Sequence, residues 1–235
     1  MAEYREDART PHVSREDFPA DRVAIYDHIM ETRKLKYMAE LFARMAPSPG
    51  ALQAVASVGE HVRFHSVLDE VLREMVICTV SQEVGNWYEW CHHIHRMPDD
   101  MREVCGTPAQ EDLPAPRGPA LKFARIVATG GTADDALVEA IRDSLGDQGL
   151  VDLTVMVGYY QLVGTFCTTL HVPIEDNIDR VPMRKWAYSA AAAPWRASSS
   201  RQSLSSASMG VKSRWAIHSS RLNWRMWLST WHRLR

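Results

Sequence analysis

Apolar positions recur at intervals of three and four along most of the chain and nowhere alternate in sustained twos, so the pattern predicts an all-α body. From Asp21, a suitable N-cap behind Pro19, the series Val23, Ile25, Tyr26, Ile29, Met30, Leu35, Met38, Leu41 and Phe42 predicts one long first helix. The Pro- and Gly-rich stretch 46–50 closes it. A second helix is expected over about 51–64. A third, capped by Asp69, is expected over about 71–84 with Val71, Leu72, Met75, Val76 and Val80 on one face. Gly85 and Asn86 then break the chain, and a fourth helix follows over about 87–97. Residues 105–119 predict a loop, because proline lacks an amide donor and disfavours helix before it. Helices resume over about 120–128, 133–144 (capped by Thr132) and 148–170, and Pro173 ends the body. The apolar run 150–170 approaches bilayer-spanning length. It contains Asp152, Gln161, two glycines and several threonines, so a buried core helix is the expectation.

Charge divides the chain more sharply than hydropathy does. The formal net charge of the 235 residues is −2, yet every acidic residue lies at or before Asp179. Residues 1–183 hold 17 basic against 29 acidic side chains, a net of −12, whereas 184–235 hold ten basic and no acidic ones. That last segment also carries six of the eight tryptophans and twelve serines, without an amphipathic repeat. The expected organisation is an N-terminal extension over 1–18, a helical domain over 19–180 and an atypical or disordered basic tail over 184–235. An acidic body disfavours nucleic acid, whose binding rests on neutralising phosphates. Cys78, Cys91, Cys105 and Cys167 form neither a C-x-x-C redox pair nor a zinc-type pairing and read as reduced thiols. The N-terminus is charged from its third residue and has no apolar core segment, so a secretory signal is not expected and cytoplasm is.

The fourth helix holds the unusual residues, Trp87-Tyr-Glu-Trp-Cys-His-His-Ile-His95. Glu89 and His93 are spaced i, i+4, which puts a carboxylate and an imidazole on one helix face within reach of each other. A carboxylate beside an imidazole fixes its tautomer and favours its charged form, the smallest unit of general acid–base chemistry. The same spacing also describes an ordinary solvated ion pair. Glu74, on the third helix in mostly apolar surroundings, would make a proton-sharing cluster if packed against that pair. His92 and His95 suggest a metal cluster by composition, but on a helix they point about 100° and 200° away from His93. Trp87, Tyr88 and Trp90 are read either as core or as the wall of a pocket for a flat organic substrate.

Glu74, eleven residues, Asn86, two residues, Glu89, three residues, His93 resembles the E-x11-C-x2-C-x3-H pattern of alkyl hydroperoxidase D-like proteins, with Asn86 and Glu89 where the cysteines would stand. Tyr88-Glu89-Trp90-Cys91-His92-His93 is similar to the cysteine-free carboxymuconolactone decarboxylase branch, and the likeness continues through 120–131 and 134–176. The resemblance implies an all-α helical bundle that assembles as a homo-oligomer, trimer or hexamer, with its site beside the Glu74 and His93 helices. Without paired cysteines there is no thiol to attack a peroxide and none to resolve the sulfenic acid. The implied function is a lyase that decarboxylates a small carboxylated lactone or aromatic-derived acid, needing no cofactor, no metal, no nucleic acid and no membrane. His93 would donate the proton, Glu89 would orient it, and Glu74 would carry a second proton or hold the ring. Asn86 would offer its amide to the substrate, and Arg96 or Arg117 would pair with a substrate carboxylate. Two alternatives keep the fold: a thiol-independent redox or metal-assisted enzyme using the same three side chains, and a non-catalytic oligomeric protein that binds small molecules.

Overall fold

A computed structural model describes residues 4–184; the basic tail beyond Arg184 lies outside the described residues. Eight α-helices and several short turns of other helix types make up the fold, and no strand occurs among the described residues. They are α1 (Val23–Thr32), α2 (Glu40–Met45), α3 (Pro49–Glu60), α4 (Glu70–Val84), α5 (Trp87–His93), α6 (Asp99–Val104), α7 (Arg117–Ala128) and α8 (Asp135–Leu170).

α4 is the centre. Asp69 accepts a hydrogen bond from the Leu72 amide at its start, and Gly85, at φ 73°, closes its end in the left-handed region that glycine enters without strain. The one-faced pattern expected for it is too narrow. Leu72 and the unbroken run Glu74–Gln82 are all buried, because α7 and α8 pack on it together and α5 crosses its C-terminal end. α8 is long and apolar enough to cross a bilayer, yet half of that apolar window is buried against the rest of the bundle. Its two predicted halves meet at the non-helical Gly146 (φ 71°, ψ 176°), and Asp134 rather than Thr132 caps the first by accepting from the Leu137 amide.

Further boundaries differ from the sequence expectation. The long first helix stops at Thr32, because Lys34 turns into the left-handed region (φ 50°) and the Leu35 amide returns to the Met30 carbonyl. Asp21 makes no capping bond. The second helix ends in a π-helical turn, His61–His65, and α5 tightens into a 3-10 turn, Ile94–Arg96. Within the proline-rich connection lies a further 3-10 turn, Pro108–Asp112, and α7 begins at Arg117, three residues early. The N-terminal segment is fastened to the bundle: Tyr4 donates to the Val172 carbonyl at 2.6 Å and the Arg9 amide to the Leu170 carbonyl at 2.9 Å.

Candidate active site

The Gly85–Asn86 break sets the geometry of the site. Asn86 Oδ1 accepts from the Glu89 amide and starts α5, which turns the Glu89 and His93 side chains back towards α4. Glu74, Glu89 and His93 are all buried, at 2%, 5% and 4% exposure, so none of them is a solvated surface pair. His93 Nδ1 lies 2.5 Å from Glu74 Oε2, and its Nε2 lies 3.0 Å from Glu89 Oε2. Burial alone would raise both carboxyls, but the imidazole outweighs it, with Arg63 adding to the effect, and both are held below the ordinary carboxylate range. Each ring nitrogen thus faces a carboxylate oxygen, a group that accepts hydrogen bonds and donates none.

Arg63 is the residue that the sequence reading lacks. The π-turn carries it against the cluster, where Nη1 sits 3.2 Å from His93 Nε2 and Nη2 3.8 Å from Glu74 Oε1. Such turns concentrate at functional sites because the extra residue re-aims a side chain. The turn is pinned by the buried Asp152 of α8, which accepts from the Val67 amide and contacts His61 Nε2, both at 2.9 Å. Despite burial, the guanidinium is held in its charged form by Tyr160, Glu74 and Glu89 around it.

A cavity of about 240 Å³ opens on this cluster. Glu89, His93, Arg63 and Tyr160 form its reactive end, while Arg33, Arg96, Phe42, Phe64 and Tyr159 line the rest. Arg33 lies over the Phe42 ring and donates to the Ala56 carbonyl, and Arg96 donates to the His92 carbonyl; neither has a carboxylate partner among the described residues. Glu74 sits behind His93, outside the cavity lining. Tyr88 and Arg96 therefore stand where the sequence reading put them, at the cavity.

Asn86, Trp87 and Trp90 do not. Asn86 is fully buried as the α5 cap beside Gly164 of α8, its Nδ2 without a protein partner among the described residues, and it does not line the cavity. Trp87 donates to the Val181 carbonyl and walls a separate hollow of about 710 Å³ with Tyr4 and His171, a hollow that Glu74, Glu89 and His93 do not line. Trp90 fills core space against Gly106. Successive helix positions point about 100° apart, so a run of aromatics around α5 cannot all face one pocket. Arg117 reaches Asp69 instead, at 3.3 Å.

His92 also lines the cavity, contrary to its helical offset from His93. Its Nδ1 lies 2.7 Å from the Tyr88 carbonyl and its Nε2 2.9 Å from Glu175 Oε2, a carboxylate that also accepts from Tyr88 Oη and the Glu40 amide. Burial works against its charge, but Glu175 prevails and raises the ring above its ordinary value. His95 is exposed, near Arg102. Burial raises the Cys78 and Cys167 thiols well above their ordinary range and Cys91 to about 11, so none of these three is a ready thiolate.

The fold is that of the alkylhydroperoxidase D core. The chain is similar, with a TM-score of 0.59 over 74% of its length and 97% of the other's, to a crystal structure of an AhpD-core, uncharacterized peroxidase-related protein from Ralstonia eutropha JMP134. Sequence identity between the two is 20%, which carries the fold alone. No protein-family model and no curated protein matches the chain.

Proposed function

We propose that this protein is a cofactor-free lyase that removes CO₂ from a small carboxylated lactone or aromatic-derived acid of the γ-carboxymuconolactone type. One observation carries the reading: a buried imidazole held by two ionised carboxylates opens into a cavity that three guanidinium groups, Arg33, Arg63 and Arg96, also line. Loss of CO₂ leaves an electron pair on carbon, delocalised into the lactone carbonyl, and that carbon must then be protonated. His93 is the proton donor, and its Nε2 is the nitrogen on the cavity side. Glu89 keeps the N–H ready and Glu74 fixes the ring from behind. Arg33 and Arg96 supply unpaired positive charge for the substrate's acid groups, through paired N–H bonds that suit a carboxylate.

The peroxidase-related neighbour suggests the competing chemistry, but the residues of this chain do not support it. Peroxide reduction on this fold by a cysteine pair needs an accessible thiolate, and Asn86 and Glu89 occupy the two positions. A metal-assisted route fits the donors poorly. Both His93 nitrogens are already engaged by carboxylates, and a divalent ion there would sit beside the fixed charge of Arg63.

The test is ultraviolet loss of γ-carboxymuconolactone by the purified full chain, with chelator and hydroperoxide controls. Turnover that survives chelation and falls by 10²–10⁴ in His93→Ala, the range for a lost general acid, supports the proposal. Silence on this lactone and on related acids, with binding retained, leaves a non-catalytic binding protein as the function.

A further inference from the structure

We propose that Arg63 is a catalytic residue of this site, which competes with Glu89 for His93 Nε2 and takes over that nitrogen once its proton has gone to the substrate. The inference rests on the acid–base reading above. Nε2 lies 3.0 Å from a carboxylate oxygen and 3.2 Å from a guanidinium nitrogen. A carboxylate only accepts a hydrogen bond and a guanidinium only donates one. One ring nitrogen therefore cannot satisfy both in the same protonation state. With its proton present, Nε2 donates to Glu89 and faces Arg63 N–H to N–H. With the proton gone, its lone pair accepts from Arg63 Nη1. Glu74 holds Nδ1 in both states, so the ring itself need not move.

The surroundings support an exchange of two arrangements rather than a general loosening. α4 contributes Glu74, α5 contributes Glu89 and His92, and the π-turn contributes Arg63. From α8, Tyr160 stands edge-on to the imidazole at 6.0 Å between ring centroids, its phenol kept neutral by burial. Arg96 adds positive charge from the mouth. In the loaded state His93 and Arg63 balance Glu74 and Glu89. During transfer the Nε2–H bond breaks, its electron pair stays on nitrogen, and the proton joins the carbanion pair left by CO₂ to form the new C–H bond. Arg63 then bonds the freed nitrogen pair and opposes return of the proton from the product. A solvent proton restores the imidazolium after release. Asp152 and His61 position Arg63 by pinning the turn that bears it.

Long-range ¹⁵N–¹H spectra of the full chain test this without any substrate, with His93→Gln assigning the ring signals. In Arg63→Gln the pH midpoint for loss of the Nε2 proton is expected to rise by about one unit or more, a tenfold gain in proton affinity. Arg63→Lys keeps the charge but not the planar fork, and is expected to give a smaller rise. It also serves if the glutamine variant fails to fold. A midpoint that is unchanged or lowered in these variants overturns the proposal. Where the lactone is turned over, the alkaline limb of the rate profile should move with the spectroscopic midpoint; a limb that stays in place while the midpoint moves overturns the catalytic role. A raised midpoint in a protein inactive on every acid tried retains the Arg63–His93 exchange and rejects the lyase reading.

Discussion

Glu175 follows Pro173, after the last helix, yet it is bound from three directions. Tyr88 Oη and the Glu40 amide donate to one oxygen at 2.8 Å, and His92 Nε2 faces the other at 2.9 Å. One carboxylate thus ties the start of α2, both ends of α5 and the segment that follows α8 together. The pH dependence of that tie follows from two shifts of opposite kind. Burial is overcome by His92 and the Glu175 carboxyl lies below its ordinary value of 4.5, so its stabilisation is complete above 4.5 and is lost as pH falls through the lowered value. His92 lies above its ordinary value of 6.5, so its share is complete below 6.5 and is lost as pH rises through the raised value. The stability difference between wild type and Glu175→Gln, from urea unfolding, should therefore peak between roughly pH 5 and 6.5, at about 2 kcal/mol, and shrink on both sides. A difference that stays flat from pH 4 to 8 would contradict the charged pair. Nothing in the spacing of the sequence announces this contact, because all of α6, α7 and α8 lie between His92 and Glu175. The Glu89–His93 pair was legible for the opposite reason: helix geometry alone brings i and i+4 together. Arg63 was not, since it is 30 residues from His93 and depends on a π-turn that leaves no mark in the apolar pattern.

At the scale of elements, the site depends on how closely α8 approaches the junction of α4 and α5. Gly164 makes this possible: a Cβ there would come within 2.6 Å of Val84 Cγ2 and 3.4 Å of Asn86 Cβ. Two effects oppose each other in Gly164→Ala. Alanine gains about 1 kcal/mol of helix propensity, while overpacking costs about 1–3 kcal/mol. Val84 is β-branched and stiff at χ1, so it yields little and the clash prevails. Gly158, on the same helix with open space around its Cβ position, provides the matched comparison. Gly158→Ala should raise the Tm and Gly164→Ala should lower it; equal stabilisation by both would mean that the helices do not approach this closely. The same scale explains which helices the sequence revealed. Asp69, Gly85 and Pro173 act locally on the backbone, so they mark real ends. The break after Thr32 escapes because Leu35, Met38 and Leu41 keep helical spacing across it, although Leu35 and Met38 lie in the link between α1 and α2.

Over the whole molecule, acid–base chemistry at one end of a cavity draws on four helices: α4 and α5 carry the proton-holding groups, α3 leads into the Arg63 turn, and α8 pins that turn through Asp152. The four cysteines are distributed in a similar way. Cys78 is on α4, Cys91 on α5, Cys105 at the end of α6 and Cys167 on α8, each no more than 2% exposed. Alkylation of a thiol requires its exposure, so each sulfur records the opening of its own stretch of chain. Cys91, whose sulfur donates to the Val181 carbonyl in the segment after α8, should react first with iodoacetamide in native buffer, and Cys78 and Cys167 last, at the rate of global unfolding. Uniform labelling of all four would indicate a single cooperative opening. The placement that removes these thiols from peroxide chemistry thus makes them four internal clocks, able to time the breathing of the bundle while the site is empty, occupied or at work.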